Sequence, residues 1–309
     1  MAELREIASG LRFPEGPVAM DDGSVIFVEI ARGTLSRVDV ETGTVDVVAD
    51  TGGGPNGAAV GPDGAMYVCN NGGCFEWHEV MGMTFPGGPP LTYPGHGSIQ
   101  RVDLDSGKVE ELYTECDNSP LRAPNDIVFD TSGGFWFTDH GVRHPRSSDR
   151  TGIYYAQPDG SSIREVIFPL DSPNGIGLSP SGDRLYAAET HSGRVWAWPV
   201  SEPGVVAGVN PIGPGHGDLL CGLPGFQLLD SLAVDGDGWV CVATLVNGGV
   251  TSISPDGVNV EHLATEDPIT TNICFGGEDL RTAYITCSAT GRLVATEWPR
   301  PGLRLAYTA

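Results

Sequence analysis

The chain has 309 residues, with 17 Lys and Arg against 40 Asp and Glu, for a formal charge of −23. A surface this acidic repels phosphate backbones and anionic lipid, which argues against nucleic-acid and membrane-surface roles. Hydrophobic residues make up 40% and charged residues only 18%, too apolar for a disordered acidic polypeptide, while 44 Gly and 24 Pro call for many turns and few long helices.

From the N-terminus, Met1-Ala2-Glu3-Leu4-Arg5-Glu6 lacks the apolar core of a secretory signal, so the expected compartment is the cytoplasm. No stretch approaches the roughly 18 apolar residues a membrane helix requires. Leu4 to Leu11 reads as a strand. A repeat then begins. Pro14-Glu15-Gly16-Pro17-Val18 opens it, a turn at Asp22-Gly23 follows, and Val25-Ile26-Phe27-Val28 forms an apolar run. The same order recurs from Pro55-Asn56-Gly57, Pro124-Asn125-Asp126, Pro173-Asn174-Gly175, Leu229-Asp230-Ser231 and Thr271-Asn272. Each copy continues into further strands, as in Thr34 to Val40 and Val45 to Val48 of the first. Period-2 alternation in short runs bounded by Gly turns is the strand signature. Four antiparallel strands in units of roughly 40–50 residues describe propeller blades. The expected fold is all-β: one six-bladed β-propeller domain over 1–309, with four-stranded antiparallel blades starting near 15, 56, 125, 174, 230 and 272. Either the N-terminal strand or the C-terminal run Leu303 to Tyr307 can complete the last blade.

The seven cysteines include no Cys-x-x-Cys pair, and most lie in apolar runs such as Trp239 to Ala243, where a thiol acts as a small hydrophobe. They read as reduced, with Cys69 and Cys74 the one pairing to check. The longest insertion, between Asn71 and Gly97, carries Trp77, His78, Phe85 and Tyr93. A loop this long in a compact domain is functional or disordered, and its aromatic content favours a pocket wall that includes Trp77 and His78.

In a blade the innermost strand lines the channel and strands alternate in direction. The start of strand one and the end of strand two therefore share a face. That places Glu15, Asn56, Asn125, Asn174, Asp230 and Asn272 around one mouth, with Asn71, His140 and His191 beside them. A lone Pro-Asn-Gly is usually a turn, but a turn does not call for Glu15 in one blade and Asp230 in another. Two carboxylates and several amides converging on an axis suit one hard divalent cation. The expected ion is Ca2+, with Mg2+, Mn2+, Fe2+ and Zn2+ as alternatives. The missing His or Cys cluster argues against zinc.

The motifs Pro14-Glu15-Gly16, Pro124-Asn125-Asp126, Pro173-Asn174-Gly175 and Asp230-Ser231 resemble the regucalcin, gluconolactonase and luciferin-regenerating-enzyme family of six-bladed propellers, over essentially the whole chain. The resemblance implies metal ligation by Glu15, Asn125, Asn174 and Asp230. Asp230-Ser231 departs from the Asp-Gly of many relatives and is similar to the drug-responsive staphylococcal lactonase. The family implies metal-dependent hydrolysis of a small lactone or ester, with phosphotriester hydrolysis in a related branch. Asp230 is then the candidate base or nucleophile. Asn56, Asn71, Trp77, His78, His140 and His191 are candidate substrate contacts. A metal-containing propeller that only binds a ligand is the alternative of a different class.

Overall fold

The computed structural model describes residues 3–208 and 210–308. Six sheets stand around a channel, and the first strand of each packs against the first strands of its two neighbours, closing a ring. Blade 1 is built from Pro14–Ala19, Val25–Glu29, Thr34–Val38 and Val45–Asp50, inner to outer. Blades 2 to 6 begin with Pro55–Val60, Pro124–Phe129, Pro173–Leu178, Leu228–Val234 and Thr270–Gly276. The four-stranded antiparallel plan holds throughout, and blade 4 carries one extra short strand, Val205–Val206. Among the described residues no helix is long and apolar enough to cross a membrane.

The hydrophobic pattern explains the layering. Second strands such as Val25–Glu29 and Phe135–Asp139 are buried along their whole length, because their sheets are covered on both faces. Outer strands such as Val45–Asp50 expose half of their residues and bury only one. The core therefore lies between blades. Tyr67, Phe129, Phe135 and Phe137 pack between blades 2 and 3, and Trp136, Tyr155, Ile176 and Trp198 pack between blades 3 and 4.

The last blade is closed from the N-terminus. Arg5–Ala8 pairs antiparallel with Arg292–Glu297 as the outermost strand of blade 6. The C-terminal segment instead crosses the far end of the channel. Gly302 bridges to Asp235 of blade 5, Tyr307 meets the Phe129 ring edge-on at 5.8 Å, and the Thr308 hydroxyl donates to Asp21 of blade 1. All seven cysteines are free, so Cys69 and Cys74 are not bridged.

Candidate metal centre at the channel mouth

Each inner strand carries a register shift near its mouth end, for example between Pro124 and Ile127 and between Pro173 and Ile176. The Pro-Asn-Gly segments are therefore bulges inside strands rather than turns before them. A bulge adds one unpaired residue and re-aims its side chain. Glycine makes the crowding tolerable. A Cβ at Gly57 would lie 2.5 Å from the Asn125 carbonyl oxygen, and one at Gly175 would lie 2.5 Å from the Leu232 nitrogen.

Pairing with the second strand fixes which residue occupies the ring. In blades 1 to 5 the ring residue follows Pro14, Pro55, Pro124, Pro173 or Leu229, which pair with Glu29, Asn70, Asp139, Glu189 and Thr244. That gives Glu15, Asn56, Asn125, Asn174 and Asp230. In blade 6 the matching pair is Thr270 and Cys287, so Thr271 takes the sixth position. Asn272 lies one step deeper than expected, yet its amide donates to Glu15 Oε2 at 2.7 Å.

The ring is desolvated. Glu15, Asn56, Asn125 and Asn174 are buried, while Asp230 is partly buried. Burial pushes the Glu15 carboxyl well up, and the charge of Asp230 adds to the rise. Burial likewise raises Asp230, against an opposing hydrogen bond from Asn174. With Asp230 raising Glu15 and Asp126 raising Asp230, these buried carboxylates cannot all be ionised without a counter-charge. Two acceptor oxygens, Glu15 Oε1 and Asn125 Oδ1, are buried with no hydrogen-bond donor. A hard cation satisfies both needs, since it supplies charge and takes oxygen ligands. Among the described residues no group of three His, Cys, Asp or Glu is arranged to hold an ion. The donors at the mouth are two carboxylates among amide oxygens. Ser231 is fully buried and its hydroxyl donates to Asn174 Oδ1 at 3.4 Å, which orients that amide.

Around the ring, the other expected contacts divide. His140 and His191 stand together, ring centroids 6.0 Å apart and edge to face. Desolvation lowers the pKa of both, and Arg143 lowers it further. His140 Nδ1–H donates to the Gly141 carbonyl at 2.9 Å. The 71–97 insertion forms a hairpin of Trp77–Val80 and Met83–Pro86. Trp77 packs on Phe13 at 4.8 Å and near Phe75 at 6.0 Å, and the Thr84 amide donates to the Ala289 carbonyl. The hairpin thus reaches from blade 2 over the mouth ends of blades 1 and 6. His78 is exposed and faces Phe85 across the hairpin. Asn71 has a structural task, since its Oδ1 accepts from the Gly73 and Cys74 amides.

Several residues of the site were missed in the sequence. Asp126 lies directly beneath the ring, and burial pushes its carboxyl up to about 7. Its signal was a carboxylate where three other repeats have Gly. Phe13 and Phe75, which frame Trp77, carried no such signal. A cavity of about 820 Å3 fills the channel below the ring, from Asp126 and Asn272 down to the C-terminal Leu303 to Thr308. None of Glu15, Asn125, Asn174 and Asp230 lines it.

Fold and ring together define a six-bladed propeller with a carboxylate–amide centre at one mouth of its channel. A family model described as "SMP-30/Gluconolactonase/LRE-like region" matches residues 13–289, and the chain belongs to that family. It is 25% identical over 244 residues to a lactonase drp35 of Staphylococcus haemolyticus, covering 79% of this chain and 66% of that protein, a little under two thirds. A gluconolactonase of Zymomonas mobilis is 23% identical over 313 residues, covering 92% of this chain and 79% of its own length. Among solved structures, the gluconolactonase XC5397 of Xanthomonas campestris superposes with a TM-score of 0.75 at 23% identity, covering 96% of this chain and 90% of that one. A calcium-binding regucalcin of Agrobacterium tumefaciens gives 0.74 at 17% identity, covering 98% of both. At these identities the structural likeness carries the fold alone.

Proposed function

We propose that this protein is a divalent-metal-dependent lactone hydrolase whose metal is held by Glu15, Asn125, Asn174 and Asp230. The observation that carries the reading is the pair of buried, donorless oxygens of Glu15 and Asn125, in a ring where the charge of Asp230 raises the Glu15 carboxyl. The naming of relatives as lactonases supports the reaction class.

A bound cation would supply Lewis-acid polarisation of the lactone carbonyl and charge to offset the developing oxyanion. The chain's own groups do the rest. Asp230 accepts a proton from the attacking water, or attacks the carbonyl itself. His140 and His191, their imidazoles held unprotonated by desolvation and Arg143, would relay to the departing ring oxygen the proton that Asp230 takes from the water. Trp77, backed by Phe13 and Phe75, offers an apolar wall that excludes water beside the ring. Asn56 fills one of the two remaining ring positions, with Thr271 in the other, and can orient the substrate by its amide.

The test is a panel of lactones and aryl phosphotriesters, assayed after exhaustive chelation and again after adding Ca2+. Lactone hydrolysis that disappears and returns supports the proposal. Full activity in the metal-free protein overturns it. Phosphotriester turnover alone would shift the substrate class, and metal binding without turnover would favour a binding propeller.

A further inference from the structure

The bulges that aim the ring side chains have a cost. Each leaves the amide that follows it without a partner in its own ladder, and a buried N–H must find an acceptor elsewhere. In blades 4 and 5 these are the amides of Ile176 and Leu232, two residues beyond Asn174 and Asp230. Both donate to one group, the Asp126 carboxylate of blade 3, with Ile176 N–H at 3.0 Å from Oδ2. Oδ1 accepts from the Ile127 amide at 3.0 Å, which satisfies the bulge of blade 3 as well. The other end of the blade 4 bulge is held by the same blade. Thr138 Oγ1 accepts from the Asp126 amide at 3.1 Å and donates to the Asn174 carbonyl at 2.6 Å. Asp126 and Thr138 thus grip the Asn174-Gly175-Ile176 bulge at both ends. Asp126 is also the only carboxylate at its level. The matching positions hold Gly16, Gly57, Gly175, Ser231 and Asn272.

We propose that Asp126 is a positioning residue that locks the bulges of blades 3, 4 and 5 in register, so that the oxygens of Asn125, Asn174 and Asp230 are preset at metal-binding geometry. Thr138 is its partner in that task. The inference rests on the metal reading above and deepens it. Groups that orient metal ligands typically cost 10–100-fold in affinity when removed.

The experiment measures Ca2+ affinity by calorimetry, together with the luminescence lifetime of bound Tb3+, which shortens as water replaces protein ligands. Wild type, Asp126→Ala, Asp126→Asn and Thr138→Val are compared, each first shown to unfold cooperatively. Asp126→Ala is expected to weaken Ca2+ by about 10–100-fold and to shorten the Tb3+ lifetime. Asp126→Asn keeps one acceptor oxygen and should fall between it and wild type. Thr138→Val, which preserves shape, should weaken Ca2+ by a smaller factor in the same direction. If Asp126→Ala does not fold, Thr138→Val decides alone. Variants that fold with wild-type affinity and lifetime overturn the positioning role. A wild-type protein that binds neither ion removes the metal reading itself, a separate failure.

Discussion

Glu15 and Asp230 share a desolvated ring in which the charge of Asp230 raises Glu15, and that coupling sets the behaviour of the site at the scale of single residues. Replacing Asp230 by Asn keeps an oxygen for the proposed metal but removes the proposed base. Turnover is expected to fall by about 10²–10⁴-fold, with metal content measured in the same sample because one of two charges has gone. A metal-loaded variant that keeps more than about a tenth of the activity, far above that range, moves the chemistry to His140 and His191. The same carboxyls fix the sign of the pH response. Glu15, Asp126, Asp139 and Asp230 all have raised folded-state pKa values, chiefly through burial. Each binds its proton more tightly folded than unfolded. Their contribution is fully present below the ordinary carboxylate range and is lost as pH rises towards 7 and beyond. The metal-free protein should therefore melt at a lower temperature at pH 8 than at pH 5. Calcium should raise the midpoint more at pH 8, because protons compete for its ligands. A melting curve in chelator that improves from pH 5 to pH 8 contradicts this account. Five of the six ring positions were legible in the sequence because they open repeats. The sixth was off by one, Asn272 for Thr271, because spacing does not reveal where a bulge adds its residue.

At the scale of elements, strands were readable wherever alternation was bounded by Gly turns, and the long insertion stood out by length alone. Its form was not readable, because Trp77–Val80 and Met83–Pro86 are held by contacts with Phe13 and Ala289, which lie far away in sequence. Asp139 illustrates the same limit. It sits beside His140 at the mouth, but its oxygens accept from the amides of Arg122, Ala123 and Gly141. It clamps the entry to its own blade, as Glu29 and Glu189 do by accepting from the amides of Arg12 and Asp171. The hairpin, by contrast, is free to tune selectivity. Replacing residues 79–85 with a short Gly-Ser turn should change relative rates across a lactone panel. Metal content should stay as in wild type, since no ring residue is touched. Unchanged relative rates would assign the hairpin to covering the mouth ends of blades 1 and 6.

For the molecule as a whole, blade number and order followed from the repeat. Ring closure did not, because both terminal segments have strand-like alternation and only packing chooses between them. Arg5–Ala8 prevails by burying Ile7 and Ala8 beside Tyr284 and Leu293. Deleting residues 3–8 should lower the denaturant midpoint, with loss of Ile7 burial alone worth about 1.5–3 kcal/mol. An unchanged midpoint would mean the strand is decoration. The same closure has a consequence for a chain made from one end. Its first strand must wait, with neither edge paired, until the strand Arg292–Glu297 leaves the ribosome almost an entire chain later. Blades 1 to 5 can form in turn as they emerge, but the seam is a contact of very long sequence separation, and such contacts are slow to form and exposed to mispairing. Newly made protein should therefore pass through an open-ring stage in which the free edge of blade 6 is the point most in need of protection by a chaperone.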